Sequence, residues 1–102
     1  MTTVAAYTPD LMDRSKIMAA SPEARFVASA EALVGLAGID VVIVDLRQPR
    51  TAAVLGALAA SGVRVIAYGS HVDTDVLAEA KAAGAEVHPR SRFFGQIGAL
   101  LG

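Results

Sequence analysis

Few residues in this sequence are equipped for chemistry, and most of them lie where an apolar run ends. Asp45 closes the run Val41-Val42-Ile43-Val44 and is followed by Leu46-Arg47-Gln48-Pro49. Two more acids, Asp10 and Asp13, lie near the start of the chain; Arg90 follows Pro89, and Ser70-His71 follows Gly69. A carboxylate at the end of a buried strand can accept a phosphoryl group or help to hold a cation. It can equally cap the next helix, or pair with Arg47 or Arg90. Asp10 and Asp13 can add an oxygen ligand, since hard divalent cations want clustered oxygens. They can also simply complement the positive end of a first helix.

Other chemistries find little support. His71 and His88 are the only histidines, they fall in different segments, and the chain has no cysteine, so no zinc-ligand spacing arises. Ser70 and His71 are adjacent, which does not suit a Ser–His–Asp relay. Neither a nucleophile elbow nor a glycine-rich phosphate loop is present. The chain is therefore expected not to be an enzyme and to need no cofactor, with weak magnesium binding at most.

Alternating extended and helical segments must position these residues. The strongest strand is Asp40–Asp45, a continuous β-branched run of the sort buried on both faces of a parallel sheet. Val63–Tyr68 is the second, with weaker strands at Val4–Thr8, Arg25–Ser29 and Ala85–His88. Helices are predicted over Thr51–Ser61, stopping at Gly62, and over Thr74–Ala83, stopping at Gly84, with Asp73 or Thr74 as N-cap. Leu11–Ala20, Ala30–Ala37 (ending at Gly38) and about Arg92–Leu101 complete the set. The pattern predicts a doubly wound, five-stranded parallel sheet of flavodoxin-like type, a three-layer sandwich with strand order 2-1-3-4-5. Ligands on such a sheet sit beyond the carboxyl ends of the strands, which is where Asp45, Gly69, Ser70 and Arg90 fall.

Length and composition set the remaining bounds. The 102 residues fit one domain, 1–102, and 54% hydrophobic content with a mean hydropathy of +0.49 is enough for a core. A net charge of −1, without a basic stripe, argues against nucleic-acid binding. No apolar run is long enough to span a bilayer, and Met1-Thr2-Thr3-Val4 does not resemble a signal peptide. A cytoplasmic location is the default expectation.

Several of these segments, in order, resemble the receiver domains of response regulators (CheY-like). Asp45, with a proline four residues later, resembles the family's phosphoacceptor at the end of its third strand. Val65–Asp73 is similar to the segment whose strand ends in a switch Thr or Ser. Ala80-Lys81-Ala82-Ala83-Gly84-Ala85 is similar to the stretch before the fifth strand, and Pro89-Arg90-Ser91 stands in place of a Lys-Pro. The likeness is good over about Asp40–Leu101 and holds only in outline before it.

The departures from the family pattern decide what the resemblance implies. The acidic pair expected after strand 1 is replaced by Tyr7-Thr8-Pro9, with Asp10 displaced; Gly69 takes the switch position, with Ser70 one residue on; Arg90 replaces the lysine. An arginine keeps the charge but not the shape. The expectation is a degenerate, pseudo-receiver signalling or adaptor domain, without regulated phosphorylation, whose pocket contains Asp10, Gly69, Ser70 and Arg90. With no output domain after Gly102, it would act through a protein partner or as a homodimer. In the family a surface formed by the last two helices and the strand between them commonly serves for docking, which implies an interaction face including Phe93, Phe94 and Leu100. The alternatives are a true phosphoacceptor receiver using Asp45, and a flavodoxin-like domain binding a nucleotide or small ligand; an anti-sigma antagonist of the STAS type is more distant.

Overall fold

Four β-branched residues in succession leave no polar face for solvent, so Val41–Val44 belongs at the centre of a sheet covered on both sides. That is where it lies in the computed structural model, which describes residues 2–101. The strands are β1 (Val4–Tyr7), β2 (Arg25–Phe26), β3 (Val41–Asp45), β4 (Arg64–Gly69) and β5 (Glu86–Pro89). The helices are α1 (Leu11–Ala20), α2 (Ala52–Ala60), α3 (Thr74–Ala82), α4 (Arg90–Gly95) and α5 (Ile97–Leu101). All pairings are parallel and the order is β2-β1-β3-β4-β5, as the alternation predicts.

Strand alternation divides the core in two. Ala5, Val42, Val44, Val65 and Ala67 face Val54, Leu55 and Leu58 of α2 and Ala80 of α3. On the opposite face Val4, Ala6, Ile43, Ile66 and Tyr68 meet Ile17 of α1, Phe93 of α4 and Leu101 of α5. Asp45 follows the parity of Val41 and Ile43, so its carboxylate emerges on the α1 side.

Three expected elements differ. The helix predicted over Ala30–Ala37 is only a 3-10 turn, Glu31–Leu33; Val34 and Gly35 follow, and Leu33 is its single buried residue, so little packing supports a longer helix. The predicted strand Arg25–Ser29 shortens to two paired residues at the sheet edge. The last helix breaks at Gln96, where φ is −121°, between two glycine-containing segments. Asp73 occupies the N-cap position of α3, but its side chain makes no capping hydrogen bond.

Gly62 and Gly84 end α2 and α3 with φ of +87° and +107°, as the sequence predicts. Gly84 carries a second constraint: a Cβ there would lie 2.8 Å from the Ala59 Cβ. Gly84→Ala is expected to cost about 1–2 kcal/mol from the left-handed backbone alone, and more from the contact, as a lowered denaturant midpoint will show.

Candidate functional site

Parallel pairing brings the carboxyl ends of β1, β3, β4 and β5 to one edge, and two acids meet there. Asp45 is the last residue of β3 and lies opposite Tyr68 of β4 in register. Asp13 comes from the first turn of α1, four residues before Ile17 and on the same inward stripe. Both acids are fully buried, as is Thr8 just after β1. A buried carboxylate needs a countercharge and hydrogen bonds, and arginines supply both.

Arg47 is the central group. Its Nε and Nη2 each lie 3.0 Å from one oxygen of Asp45, a bidentate fork, and Nη2 also lies 2.6 Å from Asp13 Oδ2. The Arg47 backbone N–H donates to Asp45 Oδ1 at 3.0 Å, and Gln48 Nε2 approaches Oδ2 at 3.5 Å. Arg90 closes the other side of Asp13, pairing its Nη2 with Oδ1 and placing Nε 3.4 Å from Oδ2. The Tyr68 hydroxyl donates to Asp13 Oδ2 at 3.0 Å and lies 3.4 Å from Thr8 Oγ1. Two carboxylates and two guanidiniums thus make a network of zero net charge. Burial, followed by the negative charge of the two acids, raises the Tyr68 phenol above its ordinary range, so it stays a neutral donor. Hydrogen bonding to Asp45 pushes the Arg47 guanidinium further up, and Asp13 does the same for Arg90.

An aromatic wall backs the network. Phe93 stacks on Tyr68 with centroids 4.8 Å apart and planes 6° from parallel, while Phe94 stands edge-on to both rings. The guanidinium of Arg47 lies over Tyr68, and Arg90 and Lys16 lie over Phe94.

These contacts place the residues singled out from sequence. Asp45 and Arg90 are in the site, although Arg90 pairs with Asp13 and not with Asp45. Asp10 is not in the pocket: it is the N-cap of α1, accepting from the backbone N–H groups of Met12 at 2.9 Å and Asp13 at 3.0 Å. The bond from Asp13 N–H holds its carboxyl below the usual range. Gly69 is also outside, because its missing side chain would point to Leu46 and Leu77, each at 3.3 Å, on the opposite face. Ser70 stands at the rim. Phe93 is fully buried and cannot meet a partner; Phe94 and Leu100 are half-buried against the same core. Sequence reasoning does not single out Tyr68. The signal for Tyr68 was its parity with Ile66, which puts it on the Asp45 face.

A divalent ion, which the fold family implies, does not fit these residues. Both carboxylates are already committed to a guanidinium lying between them, and no group of three or more potential ligands occurs among the described residues. His88 Nε2 is buried without a hydrogen-bond partner, but it belongs to no group of three or more potential ligands among the described residues.

No family model matches the chain, and no curated protein matches it in sequence. Solved structures do. A response regulator from Hahella chejuensis is 23% identical with a TM-score of 0.81, covering 99% of this chain and 92% of that one. The signal receiver domain of a DNA-binding response regulator from Colwellia psychrerythraea is 18% identical, at a TM-score of 0.73 and 98% coverage of both. A de novo designed Rossmann 2x3 protein is 14% identical at a TM-score of 0.71, covering 100% of this chain and 95% of that one. The chain therefore has the receiver fold, CheY-like and flavodoxin-like. The likeness extends to a designed protein, so the fold alone does not define the activity.

The ion pairs give a stability prediction. Arg47→Leu strands Asp45 and leaves Asp13 only Arg90 and Tyr68; it is expected to cost about 2–3 kcal/mol, less than a fully buried pair because the Arg47 side chain is 32% exposed. Arg90→Leu is expected to cost less, since Asp13 keeps Arg47 and Tyr68. Chemical denaturation of the two variants measures the order.

Proposed function

We propose that this chain is a signalling or adaptor module of receiver fold that works by protein–protein contact, without regulated phosphorylation of Asp45. One observation carries the reading: the Arg47 guanidinium lies between Asp13 and Asp45, 2.6 Å and 3.0 Å from their oxygens. Phosphoryl transfer to a carboxylate depends on positioning and on neutralising charge with a metal and a cation. Here the acceptor has no exposed surface, and its oxygens are occupied by the Arg47 guanidinium. The protein is assigned no reaction of its own and no resident cofactor.

Exposed apolar residues support a contact role. Leu11, Met12 and Val72 are 74%, 71% and 70% exposed, and all lie in segments that follow the carboxyl ends of β1 or β4. The first partner proposed is a second copy of the chain. Sedimentation velocity is expected to show a dimer at high concentration, weakened by Leu11→Asp with Met12→Asp; a monomer throughout removes the homodimer and leaves a different protein as partner.

Incubation with acetyl phosphate and Mg²⁺ is expected to leave the intact mass unchanged. An added phosphoryl group that disappears in Asp45→Asn would refute the reading. A companion measurement tests its cause. In Arg47→Ala the freed Asp45, with Asp13 beside it held only by Arg90 and Tyr68, should gain Mg²⁺ affinity, so millimolar Mg²⁺ raises that variant's melting temperature and leaves the parent's unchanged.

A further inference from the structure

The buried acids and their arginines are layered: the carboxylates are inaccessible, while the Arg47 and Arg90 side chains remain 32% and 34% exposed. Above them lies a cavity of about 350 Å³ lined by Arg47, Ser70, His71, Arg90 and Ser91. Solvent in this cavity therefore meets the positive side of a network whose negative side is hidden below. Both arginines commit Nε and Nη2 to the carboxylates, and among the described residues neither Nη1 has a hydrogen-bond partner. The Ser70 Oγ accepts weakly from the Val72 N–H at 3.4 Å, which leaves its own proton available.

We propose that this cavity binds a small oxyanion of the phosphate class, non-covalently and without a metal, between the forks of Arg47 and Arg90 with the Ser70 and Ser91 hydroxyls as further donors. The arginines are held in place by the acids beneath them, so little side-chain freedom is lost when an anion arrives. Guanidinium forks match the oxygen geometry of phosphate. Donors arrive from three segments, those after β3, β4 and β5, so a bound anion would tie the loops together. The site inverts the polarity that a phosphoacceptor pocket requires: it presents cations to an anion, where a phosphorylatable aspartate must present oxygens to a metal. The inference rests on the proposal that Asp45 is not a phosphoacceptor, and deepens it by assigning that same edge a ligand.

The test is a titration of ¹⁵N-labelled protein, without magnesium, at constant ionic strength maintained with sodium chloride. Inorganic phosphate is expected to shift the amide resonances of Ser70, His71 and Ser91 saturably. Glycerol phosphate in a parallel arm separates the sources: saturation by both anions assigns a phosphomonoester, and saturation by phosphate alone assigns free phosphate. Ser70→Ala with Ser91→Ala touches neither buried pair, should keep the fold, and is expected to weaken binding roughly tenfold. Shifts that chloride reproduces, an absence of saturation with both phosphate probes, or unchanged affinity in the double variant would overturn the site. None of these results would add mass to Asp45, so they leave the reading of that residue to be decided by the acetyl phosphate experiment.

Discussion

The carboxyl edge of the sheet depends on one guanidinium. Asp13 and Asp45 reach the same buried space from a helix and a strand 32 positions apart in the chain. Two unpaired carboxylates at that separation from solvent would repel each other and carry a large desolvation cost. Arg47 resolves both problems because it follows Asp45 by two residues, close enough for its backbone N–H and side chain to bind the same carboxylate, and long enough to reach Asp13. The first turn of α1, the end of β3 and the start of α4 through Arg90 are thereby joined by charge-assisted hydrogen bonds, over and above the apolar packing between them.

The aromatic wall makes the network and the core a single unit. Tyr68 belongs to both: its ring stacks on Phe93 in the core, and its hydroxyl donates to Asp13. Phe94 then sits against Tyr68, Phe93, Lys16 and Arg90. A shift of Asp13 would have to displace either a buried phenol or an arginine that also covers Phe94. Packed side chains with few alternative arrangements resist small adjustments, so this edge is built to stay as it is. The Arg64 fork on Glu86 has a related function at the other end of the sheet, where it also donates to the Leu100 carbonyl at 2.7 Å and ties α5 down.

Much of the fold was legible because its signals are local. The Val41–Val44 run could only be a central strand, and the glycines at 62 and 84 mark helix ends because their backbone angles are those that side chains avoid. The site was less legible because its signals are tertiary. Choosing between Asp10 and Asp13 requires knowing that Asp10 spends its carboxylate on the helix cap. That choice turns Asp13 inward, on the stripe shared with Ile17. A family pattern puts Gly69 in the pocket, yet strand parity sends its side-chain direction to the opposite face and gives the position beside Asp45 to Tyr68. The adjacent phenylalanines posed the same difficulty. Adjacency in a helix turns them in different directions, yet both rings stay against the same core, Phe93 buried and Phe94 at its margin over Tyr68. The segment over Ala30–Ala37 is a 3-10 turn and not a helix for a simpler reason: Leu33 is its one large buried side chain, with the small Ala30 beside it and Leu36 only partly buried.

A scaffold shared with response regulators, and equally with a designed protein, fixes where a site can be and says little about what it does. Parallel strands deliver loop residues to one edge whatever their chemistry. What differs here is the sign of the charge left at the surface. With acids facing solvent, that edge would collect cations; with the acids buried beneath arginines, it faces solvent as donors and positive charge. Three residue choices produce this arrangement: an uncharged Thr8 just after β1, Arg47 two residues beyond the strand-end aspartate, and Arg90 just after β5. None of them disturbs a strand or a helix, so the change in chemistry costs the fold nothing in pairing or register. The charge that this edge presents is therefore set by those side chains, independently of the sheet that carries them.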